Sequence, residues 1–233
     1  MIPISDANPS KNRPTITLSF IAICILIYIF IIPQNSADFN EFLYRYAAIP
    51  CEILLNTPLT DTQYYTNNCS ATQGINIFPN KTIIYSIFYS PFLHAGFLHL
   101  LGNIWSLWIF GDNVEDVLGK FKTIMFILIT SLVSIYGHSI LNPSSITPVV
   151  GASGVVAAFM GAYLYIFPNA KILAFLLFPF LMPITIKART FMIFWIFSQL
   201  LLTIQITNIS WEAHLFGFIT GYVVVKYFYR LKR

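Results

Sequence analysis

Long apolar runs separated by short polar stretches dominate the chain, and six of them have the length of helices. They cover Thr15–Ile32, Phe97–Phe110, Lys122–Ile140, Ser153–Phe167, Ala188–Ile206 and Trp211–Tyr229. Hydrocarbon about 30 Å thick takes roughly 20 apolar residues per helix, so the pattern predicts six membrane-spanning helices, the second and fourth of them short. A further apolar run, Ile172 to Pro183, is interrupted by Pro179 and Pro183. It is too short to span and predicts a segment that lies in the interface or re-enters. The first two spans are joined by a long loop, about 33–93, in which Phe39, Phe42, Leu43 and Tyr46 recur at helical spacing. That spacing predicts an amphipathic helix in the interface. The expected organisation is a segment 1–14, a six-helix membrane domain over 15–229 and a basic tail at 230–233, with no internal repeat and no separate soluble domain.

Composition settles the solvent. Of the 233 residues 57% are hydrophobic and only 9% charged, too little charge to cover a soluble domain of this size. The first run is not expected to be a cleaved leader, because it is long, "QNSAD" is a poor cleavage site and five more runs follow. Lys and Arg then set orientation. Lys11 and Arg13 precede the first span, Lys120 and Lys122 follow the second, and Lys171, Lys187 and Arg189 follow the fourth. Lys226, Arg230, Lys232 and Arg233 close the chain, while the alternate loops hold only Arg45 and Lys81. Positive-inside asymmetry places both termini in the cytoplasm. The basic residues form no single face, so nucleic acid is not an expected partner; membrane lipid is.

In that topology the second, fourth and sixth spans are parallel, and all three carry polar groups in their opening turns. His94, His99 and Asn103 belong to the second, Ser153 opens the fourth, and His214 lies near the start of the sixth. A lone Ser in a lipid helix usually bonds a backbone carbonyl, and a lone Asn usually joins helices. A Ser, two His and an Asn converging at one depth ask for more than packing. Gly154, Ala157, Ala158 and Gly161 on the fourth span, with Gly217 and Gly221 on the sixth, make small-residue faces that let backbones approach closely. None of the nine acidic residues lies within a span except Glu212, at the start of the sixth and two positions from His214. A Ser-His dyad is therefore expected rather than a triad with a carboxylate. A metal held by His94, His99 and His214 is disfavoured, because the spacing is not that of a zinc helix and no carboxylate joins them.

These residues resemble the rhomboid family of intramembrane serine proteases. The elements that carry the likeness are "HAGFLHLLGN" (His94, His99, Asn103), "GASG" (Gly151 to Gly154) and "AHLFGFITG" (Ala213 to Gly221), with "FGDNVEDVLG" and "RYAAIPCEI" resembling bacterial members. Val155 replaces the second Gly of the soluble G-x-S-x-G elbow, which separates this chain from that fold. The resemblance implies a rhomboid-like bundle in a bacterial inner membrane, with its site toward the outer face and other transmembrane proteins as substrates. It needs no cofactor.

The resemblance also implies roles. Ser153 would be the nucleophile and His214 the general base. His99, Asn103 and the backbone N–H of Ser153 would form the oxyanion hole. His94 and Glu115 would support the site, Glu115 by fixing the turn after the second helix. Gly151 and Gly154 would flank the nucleophile, and Gly217 and Gly221 would allow close packing. The family's aromatic residue one turn after the nucleophile is Ala157 here, so His214 must be oriented by another group. The segment "ITNISWEAH" is expected to cap the site. Cys51 and Cys69 both fall in the outer loop, where they could pair or remain thiols; Cys24 is a small apolar residue of the first span. The rival class is a non-catalytic rhomboid-fold binder of transmembrane helices, which generally lacks the Ser or the His that this chain keeps.

Overall fold

The computed structural model describes residues 1–71, 73–176, 182–205 and 210–230. Each of the six apolar runs is a helix: α1 (Thr15–Phe30), α6 (Phe97–Leu118), α7 (Lys120–Leu141), α8 (Ser153–Ile166), α9 (Ala188–Gln205) and α10 (Trp211–Arg230). Four short helices fill the loop between α1 and α6, namely α2 (Ser36–Tyr46), α3 (Pro50–Leu55), α4 (Asp61–Thr66) and α5 (Ile83–Tyr89). Among the described residues, α7 is both long and apolar enough to cross a membrane by itself, and α1 and α8 are shorter apolar helices. Residues 177–181, 206–209 and 231–233, which carry parts of the predicted interfacial run, the cap and the tail, lie outside the described residues.

Helix α8 is the axis of the bundle. Every side chain from Gly154 to Tyr163 is buried, as expected of a helix apolar on all sides. Helix α10 lies against it with backbones touching. A Cβ on Gly217 would overlap the carbonyl of Gly154, and one on Gly221 the carbonyl of Ala158. Tyr222 then meets Tyr165 near the other end, so the two helices run parallel. Helix α6 is parallel as well, with His99 beside Gly151 at the start and Phe110 against Tyr163 further down. Helix α7 runs the opposite way: its Phe126 packs on Phe159, and Ser134, a later residue, meets Gly154 at the start of α8.

Two segments carry strands that the apolar pattern does not show. The run Ile172–Pro183, too short to span, contributes to β2 (Lys171–Leu176) and β3 (Met182–Lys187), which pair antiparallel with Leu173 opposite Thr185. Residues 1–14 are docked on the bundle. Ile2–Asp6 forms β1 and pairs antiparallel with β2, Ile2 opposite Phe175 and Asp6 opposite Ile172. Ile172 and Ala174 are buried on one face of the sheet. Pro183 is tolerated because β3 is an edge strand that needs fewer N–H donors. Helix α6 holds the segment along its length. Trp105 Nε1 donates to Pro3 O (2.7 Å), Asn113 Nδ2 to Asp6 Oδ2 (3.0 Å), and the N–H groups of Lys11 and Asn12 to Asp116 (3.2 Å each). Tyr163 on α8 donates to the same Asp6 oxygen at 2.6 Å.

These contacts also explain why α6 continues past its apolar stretch. Its polar last turns are the docking face for residues 1–17. Glu115 differs from its expected role: the carboxylate accepts the N–H groups of Ile16 (2.9 Å) and Thr17 (2.7 Å) and the Thr17 hydroxyl (2.8 Å). It thereby caps the start of α1, where Pro14 supplies no side-chain cap. The turn after α6 is made by Gly119 at φ +77°, a conformation that favours glycine.

Candidate active site

The loop between α1 and α6 is a small folded unit that braces the entry to α8. The predicted amphipathic helix is present as α2, capped by Asn35, whose side chain accepts from Asp38 N. A disulfide joins Cys51 to Cys69, Cα atoms 5.8 Å apart. Lys81 is buried, paired with Glu52 at 2.5 Å, and donates to the carbonyls of Tyr44 (2.7 Å) and Ala47 (2.8 Å). Burial pushes the Glu52 carboxyl up and the Lys81 ammonium down from their ordinary values, while their mutual attraction opposes both shifts. From this unit Ala48 reaches the site: its N–H donates to Ser90 Oγ (2.7 Å), its carbonyl accepts from Val149 (2.8 Å), and Ser90 O accepts from Gly151 N (3.0 Å).

The approach to Ser153 is fixed by that lattice of backbone bonds. Gly151 sits at φ +110°, and a Cβ there would lie 2.5 Å from His99 Nε2 and 3.5 Å from Asn103 Nδ2. Glycine is thus required twice, by its backbone angle and by the side chains of α6 pressed against it. His94 holds the next residue. Its Nδ1 donates to Phe92 O (3.2 Å), which makes Nε2 the acceptor for Ala152 N–H (3.4 Å). His94 is accordingly neutral and positions the turn. Ser153 follows as the first residue of α8, and among the described residues no carbonyl accepts from the N–H groups of Ser153, Gly154 or Val155. A helix N-terminus with free N–H groups favours an anion. Asn103 Nδ2, buried in the same place, is likewise a donor without an acceptor.

His214 lies one turn before Gly217 on α10, the residue whose backbone rests on Gly154. The structure therefore gathers Ser153, His99, Asn103 and His214 at the joined starts of α6, α8 and α10, with His94 behind the turn. Among the described residues Ser153 Oγ has no hydrogen-bond partner, His214 included. Hydrogen bonds of this kind commonly tighten only when substrate is bound. Glu212 points away from His214, as its spacing predicted, and accepts from His138 Nδ1 at 3.1 Å.

Two neighbours of His214 were not anticipated. Gln199 on α9 accepts from His214 Nδ1 at 2.7 Å, and the Trp195 ring lies 6.1 Å from the imidazole, centroid to centroid, at 37°. Trp195 thus supplies the aromatic neighbour that Ala157 cannot. The available signal was the Ser198–Gln199 pair, a polar interruption in an otherwise apolar run.

The sequence profile of the Rhomboid domain matches residues 81–231, most of the chain and all four of these side chains. The protein belongs to the rhomboid family, a family of intramembrane proteases with a helical membrane fold. Among curated relatives, the chain is 29% identical over 135 residues to a protein of Bacillus subtilis named putative rhomboid protease YdcA, covering 57% of this chain and 61% of that one. It is 38% identical over 94 residues to the mitochondrial rhomboid protein 1 of Saccharomyces cerevisiae, covering 39% and 27%. To the rhomboid protease GlpG of Yersinia pestis it is 34% identical over 70 residues, covering 30% and 24%. The match spans less than two thirds of each of these relatives.

Proposed function

We propose that this chain is a serine endopeptidase that hydrolyses peptide bonds in or near the transmembrane segments of other membrane proteins through a Ser153–His214 dyad. In this reading the six long helices span a bacterial inner membrane, both termini are cytoplasmic, and the site opens toward the outer face. The observation that carries it is the cluster of unused donors, Asn103 Nδ2 and the free N–H groups that open α8, around the one serine held by a built turn.

Ser153 Oγ attacks the scissile carbonyl carbon and passes its proton to His214 Nε2. The negative charge on the former carbonyl oxygen is met by Ser153 N–H, Asn103 Nδ2 and His99. Collapse breaks the C–N bond, and the leaving amine takes the proton from His214. Water then attacks the acyl ester, giving a proton to His214; collapse breaks the bond to Ser153 Oγ, which takes that proton back as the acid product leaves. The shallow position of the site, at the helix starts, is what would let that water in.

The test is labelling of the detergent-purified protein with a serine-reactive fluorophosphonate, the adduct being mapped by mass spectrometry. An adduct on Ser153 that is lost in the Ser153→Ala and His214→Ala variants supports the dyad. A folded protein with no adduct at Ser153 would point to the helix-binding alternative.

A further inference from the structure

The side chain that orients His214 comes from neither helix of the dyad. We propose that Gln199, on α9, is the positioning residue of the base: its side-chain carbonyl holds the His214 ring with the proton on Nδ1 and leaves Nε2 bare to receive the serine proton. This rests on reading His214 as the base.

The donor and acceptor chemistry determines the tautomer. Gln199 Oε1 can only accept, so the 2.7 Å contact makes His214 Nδ1 the protonated nitrogen. The amide is itself fixed, because its Nε2 donates to Ser198 Oγ (3.3 Å), whose hydroxyl donates to Trp195 O (2.6 Å). Trp195 and Gln199 are four residues apart and so share one face of α9. One of them packs near the ring and the other bonds its Nδ1.

Among the described residues no carboxylate competes for that place. Glu212 is already bonded to His138, and Ala157 offers no ring. His99 on α6, His138 on α7 and Glu212 on α10 are the titratable groups that act on His214. Gln199 stands where a triad has its acid, but it carries no charge. It fixes orientation and tautomer without stabilising the imidazolium as an anion would.

The experiment uses the full chain with 15N-labelled histidine in detergent micelles. Ring nitrogen shifts report the His214 tautomer, and fluorophosphonate labelling of Ser153 is followed against pH in parallel. The expected result for Gln199→Leu is a shift of neutral His214 toward the tautomer protonated on Nε2. Acylation should slow about 10–100-fold, a part of the roughly 10²–10⁴ that general acid–base catalysis supplies. Gln199→Glu keeps the acceptor and adds a negative charge, so it should retain the Nδ1–H tautomer and raise the pH at which labelling begins. A tautomer and pH profile unchanged in both variants would overturn the proposal, whatever the labelling rate. A tautomer that responds as expected in a protein that never labels at Ser153 would uphold the contact and sink the protease reading instead.

Discussion

Replacing Gly217 with alanine adds one methyl group at the tightest place between α8 and α10. That carbon would stand 2.9 Å from the carbonyl carbon of Gly154 and 3.2 Å from its Cα, closer still to the oxygen, whereas ordinary contact begins at 3.4 Å. Both neighbours are backbone inside regular helices, so no rotamer change relieves the overlap. The helices must part by about 1 Å, and overpacking of this kind costs about 1–3 kcal/mol. Alanine is also the better helix former by about 1 kcal/mol, so the net loss of stability is small. Function is the sharper readout, since a misplacement of about 1 Å at a reacting pair can cost about 10²-fold in rate. Labelling of Ser153 should therefore slow by about two orders of magnitude in Gly217→Ala, with only a modest change in melting temperature. Gly102→Ala, where a Cβ meets nothing within 4 Å, serves as the stability control and should melt no lower than the parent. Labelling of Gly217→Ala within threefold of the parent would refute the reasoning, because it would mean that the α8–α10 contact does not hold Ser153 and His214 in register.

Asn103→Ala should slow acylation of Ser153 by about 10²–10³, yet leave thermal stability nearly unchanged, because the amide nitrogen it removes has no partner to lose. Lys81→Met should destabilise the protein by about 3–5 kcal/mol, read by denaturant unfolding, because it leaves the Glu52 carboxylate buried and unpaired. The pH dependence has a definite sign. Burial holds the Glu52 carboxyl above its ordinary value, so the folded state prefers it protonated, and the deficit should shrink as pH falls and grow as pH rises.

The six long helices were legible because lipid demands unbroken apolar length, which a plain count detects. Ends were less so. Helix α6 outruns its apolar stretch because Asn113 and Glu115 are buried against other parts of the protein and Asp116 receives the N–H groups of Lys11 and Asn12, and a hydropathy pattern reads such residues as a stop. The sheet was hidden for another reason. Residues 172–176 are apolar at every position, so period-two alternation does not show, and their partner is Ile2–Asp6 at the far end of the sequence. In the site, His99, Asn103, Ser153 and His214 stood out as polar groups at the openings of three parallel helices. Gln199 did not, since its role depends on the rotation of α9 about its own axis, and a helix apolar on nearly every side carries no pattern that fixes that rotation. Two cysteines in one loop left a disulfide and free thiols both open, and it is the fold that brings Cys51 to Cys69.

The pairing of β1 with β2 bears on the order in which the chain can assemble. Ile2 leaves the ribosome far ahead of Phe175, its partner, so the first strand must wait while α1, α6, α7 and α8 are made. Contacts between distant parts of a chain form late, because the loop must close before they reward it. Until residues 171–176 emerge, β1 has only side-chain anchors such as Trp105, Asn113 and Tyr163 to hold it. The sheet is thus a late closure, and α9 and α10, which bring Gln199 and His214, follow it in the chain. The last pieces of the site are synthesised only after the first strand has somewhere to bind.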